Sequence, residues 1–280
     1  MTEGNEPAKG AEILAYYEQF DEEGRLGGGS GLLEFARMQE LLTRFLSPAP
    51  GLVIDVGGGP GLYACWLARK RYEVHLVDPV AKHLEQARRA SELQPAHPIA
   101  SVEEGDARSL SQENESCDVV LLMGPPYHLT ERVDRLTALR EAFRVLRPGG
   151  TVVAKAVHRF ASLHQGLMQG LIDDPSFVAL IGRELEDGQH RSPKDRDYFT
   201  TAFFHLPEEL ESEVRGAGFV ADQLLPVQGP GLLANDLEER LSDPGRRETL
   251  FALIRSVETE RSLLGISPHI VVVAQKPRPR

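Results

Sequence analysis

The chain has 280 residues, with 31 Lys and Arg against 42 Asp and Glu and a formal net charge of −11. That sign opposes binding to a phosphate backbone, so no nucleic-acid partner is expected. No apolar run reaches the length of a membrane span, the start Met1-Thr2-Glu3-Gly4-Asn5-Glu6 is too polar for a signal peptide, and two cysteines give no disulfide framework, so a cytoplasmic protein without a membrane partner is expected.

Residues 1–10 read as disordered. A helix from Ala11 carries Ile13, Leu14, Tyr16, Tyr17 and Phe20. Residues Glu22 to Gly31 read as a flexible, glycine-rich loop holding Arg25. A second helix over 32–46 has Leu32, Phe35, Ala36, Leu42 and Phe45 as apolar members, with Glu34 and Arg37 spaced for an i, i+3 pair, and Pro48 and Pro50 end it. Val53 to Val56 is a short β-branched run, read as a buried strand. Glycines follow at 57, 58, 59 and 61, and Leu62 to Ala68 then reads as a helix. Strand, glycine-rich turn and helix open a nucleotide site in α/β sheets. Missing Cβ atoms let a ligand approach the backbone, and the helix N-terminus points N–H groups at it.

Spacing decides between nucleotides. A G-x-G-x-x-G fingerprint starting at Gly57 needs glycine at position 62, which is Leu62, and no Lys-Ser or Lys-Thr pair follows to make a Walker loop. The pattern present is Asp55-x-Gly57-x-Gly59-x-Gly61. Glu73 to Asp78 is a second strand ending in an acid 23 residues after Asp55. A carboxylate at about that distance accepts from ribose hydroxyls; its structural alternative is a helix N-cap ahead of the next helix, over 81–94.

These motifs resemble motif I and the following acidic position of class I S-adenosylmethionine (SAM)-dependent methyltransferases. The resemblance implies SAM as cofactor, with Asp55, Gly57, Gly59 and Gly61 holding its methionine part and Asp78 its ribose. A third strand near 99–102 leads to Gly105-Asp106-Ala107, where Asp106 and Ala107 resemble the adenine-binding position. A fourth, Asp118 to Met123, brings Met123 to the cofactor and runs into Gly124-Pro125-Pro126-Tyr127-His128-Leu129. A helix over 131–147 and Arg147-Pro148-Gly149-Gly150 lead into a fifth strand, 151–157.

Residues 158–206 interrupt the alternation with helical patterns at about 161–172 and 176–186 and an aromatic run, Tyr198 to His205. An insertion at this edge lies over the ligand crevice and reads as an acceptor lid. A helix (207–217), a strand (219–227), a second helical insertion and a last strand (269–274) complete the chain. The organisation expected is an N-terminal helical cap over 1–46 and a SAM-binding core over 47–276, with the lid at 158–206 and a second insertion at 231–265. The alternation predicts an α/β, Rossmann-like, mostly parallel sheet with helices on both faces and a helical lid insertion. The resemblance adds seven strands, the last antiparallel. Its relatives include bacterial small-molecule methyltransferases with a GPxYHL segment after the fourth strand.

The chemistry implied is in-line methyl transfer to a small-molecule acceptor at N, O or C, in which the protein supplies orientation and a dry pocket. Tyr127, His128 and His158 are the candidate catalytic residues, and Tyr17, Tyr127, His128, Tyr198 and His205 the candidate acceptor contacts. Tyr16 is a candidate aromatic face for the sulfonium, and Arg25 a partner for the cofactor carboxylate. Gly124 stands where adenine methyltransferases carry Asp or Asn, which argues against a DNA substrate. The histidines are too dispersed for a metal site. Two other readings stay open: a SAM-binding protein without methyl transfer, such as a pericyclase-like catalyst or sensor, and an NAD-dependent oxidoreductase, which would be stabilised by NADH instead.

Overall fold

The computed structural model describes residues 10–192 and 198–279. The tract read as disordered lies, apart from Gly10, outside them, as do Pro193 and Lys194.

Three helices open the chain: α1 (Ala11–Gln19), α2 (Glu22–Arg25) and α3 (Gly29–Phe45). The loop expected over 22–31 is thus partly helical, because the Asp21 carboxylate accepts from the Gly24 N–H and caps a single turn. Next come β1 (Leu52–Val56), α4 (Leu62–Arg69), β2 (Glu73–Asp78), α5 (Ala81–Glu92), β3 (Ser101–Glu104), β4 (Cys117–Leu122), α6 (Pro125–His128), α7 (Arg132–Val145) and β5 (Leu146–Val157). Strand β5 takes in Arg147 to Gly150, read as a turn, because Leu146 already pairs with Cys117.

The insertion at 158–206 contains α8 (Ala161–Gln169), α9 (Pro175–Asp187) and a small antiparallel ribbon, β6 (Gln189–His190) with β7 (Ala202–Phe203). After it run α10 (Pro207–Gly216), β8 (Val220–Pro226), α11 (Leu237–Ser242), α12 (Pro244–Val257) and β9 (His269–Gln275).

The large sheet has seven strands in the order β3-β2-β1-β4-β5-β9-β8. Strands β3 to β5 pair in parallel, and β9 is antiparallel to both β5 and β8. The expected fold class therefore holds. Alternate residues of the central strands face opposite sides. Val53 packs with Leu41, Leu42, Leu67 and Leu84 of α3, α4 and α5. Ile54 packs with Leu139 and Leu210 of α7 and α10. Chain order reverses between β1 and β4, and a ligand crevice opens beyond the carboxyl ends of strands at such a point. Asp55 and Met123 sit at those ends.

The second insertion docks on the N-terminal helices. Leu33 of α3 packs against Leu250, Phe251 and Ile254 of α12. Arg37 does not pair with Glu34: it is fully buried and reaches Glu40, Glu258 (2.8 Å) and the Val227 carbonyl (3.2 Å). Glu34, on the same helix, turns to the sheet.

Candidate cofactor site

A cleft opens to solvent at the carboxyl end of β1 and β4. It is lined by the glycine loop and Asp55, by Tyr63, Met123, Tyr127 and Lys155, and by Glu22 and Arg25 of α2.

The loop glycines have separate tasks. Gly57, Gly59 and Gly61 all adopt positive φ (70°, 57° and 84°), which side-chain-bearing residues rarely take. A Cβ on Gly57 would sit 2.7 Å from the Pro125 ring, so this glycine lets the segment after β4 close in. A Cβ on Gly61 would meet Ala87 at 3.1 Å, so it serves the packing of α4 on α5. A Cβ on Gly59 would meet only Glu22, at 3.9 Å, so Gly59 is the glycine that leaves room for a ligand at the loop.

Asp78 ties that loop to β2. One carboxylate oxygen accepts from the Gly59 N–H at 2.8 Å; the other accepts from the Val80 N–H at 2.9 Å and lies 3.1 Å from His83 Nδ1. Asp78 is not the N-cap of α5, which is Val80 and carries no side-chain cap; a carboxylate has about four lone-pair sites, so capacity for ribose hydroxyls is left beside these contacts.

Asp55 is the opposite case. It is 1% exposed, and its Oδ2 has no hydrogen-bond partner among the described residues. Burial, with Asp78 nearby, pushes its carboxyl up to about 7, although Lys155 opposes the shift. The Tyr63 hydroxyl is also buried without a partner among the described residues. Opposite them stands a charge cluster that sequence reading missed. Glu34 is buried between Lys155 (2.5 Å) and Arg25 (2.9 Å), with His269 Nδ1 at 3.6 Å. Burial alone would raise the Glu34 carboxyl, but Arg25, His269 and Lys155 hold it well below the usual range. The available signal was Lys155 itself, a cation inside the apolar run Thr151 to Val157 that requires a partner when buried. Arg25 lines the cleft as expected, with Glu22 and Glu34 as its present partners.

This donor set fits the amino-acid end of SAM. An ammonium would complete Asp55 Oδ2, a carboxylate would meet Arg25, Lys155 and the Tyr63 hydroxyl, and Gly59 leaves space beside them.

The other candidates are placed as follows. Met123 and Tyr127 line the cleft. Tyr17 is hydrogen-bonded to His128 Nε2 at 2.9 Å, and Tyr16 and Tyr17 form an aromatic cluster with Phe20, Phe199 and His128 just beyond it. His128 lies 4.4 Å from the Tyr127 ring, and burial lowers it to about 3, so it stays neutral. Asp106 and Ala107 are not among the lining residues. The Asp106 carboxylate is exposed and held by Arg108 at 2.6 Å, because its loop at the end of β3 closes on itself.

Three candidates sit elsewhere. His158 is buried in a turn, its Nδ1 accepting from the Phe160 N–H at 3.0 Å. His205 faces Glu213 at 3.4 Å, in a buried group with Arg135 behind Pro125 and Pro126. Tyr198 donates to Asp174 (2.7 Å) and packs on Phe177 inside the insertion's own small core.

Comparison with known proteins agrees with this geometry. Residues 53–150 match the methyltransferase domain family. The chain is 30% identical over 148 residues to the methyltransferase GfsG of Streptomyces halstedii, covering 52% of this chain and 49% of that protein. It is 26% identical over 186 residues to the S-adenosyl-L-methionine-dependent Diels-Alderase iccD of Talaromyces variabilis, covering 54% and 61%. The chain thus spans about half to three fifths of these relatives. Among solved structures, a SAM-dependent methyltransferase from Methanosarcina mazei superposes with a TM-score of 0.57 at 18% identity, over 85% of this chain and 98% of that one, a likeness of fold. Residues 53–150 thus carry a methyltransferase domain, and the fold is that of SAM-dependent methyltransferases, which supports S-adenosyl-L-methionine as the cofactor.

Proposed function

We propose that this protein transfers the SAM methyl group to a small-molecule acceptor at N, O or C. The observation that carries the reading is the unpartnered, buried Asp55 oxygen beside the open Gly59 turn, a combination that an amino-acid ammonium completes. SAM, when bound, supplies the electrophilic methyl. The chain's residues do the rest. Asp55, Arg25, Lys155 and Tyr63 hold the methionine end, and Gly57, Gly59 and Gly61 shape the loop. Asp78 keeps lone pairs for the ribose hydroxyls while fixing Gly59. Asp106 and Ala107, one strand over, belong to the adenine end.

The acceptor side is aromatic. Tyr127 and Phe204 are buried together with Phe199 beside them, and Tyr16, Tyr17 and His128 close the same region from α1 and α6. Such walls suit an acceptor with apolar surface and exclude water from the reacting methyl. Residues 158–206 act as the lid, and 1–46 as a helical cap over the 47–276 core, with 231–265 bracing the cap. His128 and Tyr127 are the contacts closest to the cleft; His158, His205 and Tyr198 support the lid.

The match to iccD favours a second reading, in which SAM or its demethylated product S-adenosylhomocysteine is bound without methyl transfer. Incubation with methyl-labelled SAM and an extract of the source cells separates the two. Labelled small-molecule product is expected; its absence from a protein that binds the cofactor supports the second reading.

A further inference from the structure

The insertion holds a buried polar group that the cofactor site does not use. On α9 the inward residues are Phe177, Leu180, Ile181 and Glu184, spaced i, i+3, i+4 and i+7, so Glu184 is carried into the interior by the helix period. Gly188, at positive φ, ends the helix, and its N–H donates to the Glu184 carbonyl at 2.8 Å. The chain then reverses into β6, which lays His190 back over Glu184. Both residues are 1% exposed. His190 Nδ1 makes a short hydrogen bond with Glu184 Oε1, and the Ser162 hydroxyl donates to that oxygen at 3.0 Å.

Two atoms of this pair have no hydrogen-bond partner among the described residues, Glu184 Oε2 and His190 Nε2. A buried polar atom left unpaired costs about 1–3 kcal/mol. A pair that served only to tie α8, α9 and β6 together gains nothing from an imidazole nitrogen left empty. The surroundings indicate what could fill it. The His190 ring stacks on Phe204 (5.0 Å between centroids) and meets the edge of Phe199 (5.7 Å). Phe199 in turn lies 6.1 Å from His128, next to Tyr127 on the cleft wall. One half-buried aromatic ring therefore touches both imidazoles, and each imidazole has one unpartnered nitrogen, Nδ1 of His128 and Nε2 of His190.

We propose that His190, oriented by Glu184, is the general base for the acceptor, which enters beside Phe199. The inference rests on the methyl-transfer reading. With Nδ1 donating to Glu184, the neutral ring presents a lone pair at Nε2. The acceptor's O–H or N–H proton passes to Nε2, and the electron pair left on O or N forms the bond to the methyl group. The S–CH3 pair stays on sulfur, giving a thioether. The imidazolium is stabilised by the Glu184 carboxylate, the positioning residue, with Ser162 fixing that carboxylate. Acceptors that hold a proton at neutral pH are thereby the expected class, in contrast to thiolates and tertiary amines.

The test uses the full chain with methyl-labelled SAM and source-cell extract. His190→Gly should lower labelled product by about 100-fold or more, the scale of general-base loss, with S-adenosylhomocysteine affinity within about twofold of wild type, as expected of a residue remote from the cofactor loop. Added imidazole should restore part of the rate in His190→Gly and none in Glu184→Ala. His190→Asn, closer in size, is made alongside in case the glycine variant does not fold, and should show the same loss. Two results overturn the proposal: a folded His190 variant that keeps the wild-type rate, or a rate loss in folded His190→Gly that imidazole leaves unchanged, which marks a structural role. No labelled product from wild type would instead overturn the methyl-transfer reading itself, and this inference with it.

Discussion

The cofactor cleft and the insertion above it are built from different materials. The cleft is largely backbone: a strand end, a turn with three positive-φ glycines and a helix start, held by one carboxylate. The insertion is side-chain work, with Glu184, His190, Ser162 and Phe199 brought together from α8, α9, the ribbon and the loop beside it. A backbone device imposes a local residue pattern and tolerates little variation. A side-chain device needs only that distant residues meet. The comparison predicts that cofactor binding and acceptor chemistry fail separately.

The largest separation is expected at the loop. Gly59→Val should weaken S-adenosylhomocysteine binding by about 100-fold or more, roughly 3 kcal/mol, because its side chain enters the open space beside the loop. Gly61→Val shares the positive-φ strain, of order 1–3 kcal/mol, but meets Ala87 instead. It should lower the melting temperature and leave a smaller affinity change in the folded fraction. Calorimetric titration and thermal unfolding of both variants check the contrast, and equal affinity losses would break it.

Asp78→Ala comes next. It orphans the Gly59 and Val80 N–H groups, for about 1–3 kcal/mol of stability, and removes ribose contacts worth about 1.5–3 kcal/mol of affinity. Stability falling alone would assign Asp78 to the loop only.

The pH dependence is a finer test. The Asp55 carboxyl is raised to about 7 in the folded chain. Its own contribution to folding is therefore fully favourable below the ordinary carboxylate range and is lost as pH rises through about 7. Cofactor affinity runs the other way. The ammonium binds the ionised carboxylate, so affinity should climb about tenfold per pH unit below 7 and level off above it. Titrations between pH 5.5 and 8 measure this slope, and Asp55→Asn should flatten it.

The smallest effect on cofactor binding belongs to Tyr198→Ala. Losing its bond to Asp174 and its contact with Phe177 should loosen α9 by about 1–2 kcal/mol, read as faster amide exchange there. Methyl transfer should drop while S-adenosylhomocysteine affinity stays put. A parallel fall in both would deny the insertion its separate role.

The same division explains what could be read from the sequence. The glycine spacing and Asp78 were legible because a tight turn and a strand end constrain neighbours in the chain. The mostly parallel seven-stranded sheet with its antiparallel last strand followed from alternation together with the family resemblance, whereas the strand order came from the structure. Glu34 was misread because i, i+3 spacing permits a pair with Arg37 without requiring it; the real partners, Lys155 and Arg25, come from β5 and α2. The histidines show the same limit. His158, His205 and His128 look alike in sequence, yet the structure puts one in a turn, one behind the wall against Glu213 and one at the cleft's edge. His190, in a stretch read only as polar, became visible once α9 brought Glu184 beneath it.

The Asp55–Gly59 cleft is expected to hold the cofactor through a carboxylate oxygen that has no partner among the described residues. Isothermal titration of wild type and Asp55→Ala with S-adenosylhomocysteine at pH 7.5 tests it most directly. One site per chain is expected for wild type, and an affinity loss of about 10- to 100-fold for the variant, the worth of a charge-assisted hydrogen bond. No binding by wild type at millimolar ligand, or equal affinities for the two proteins, would contradict it.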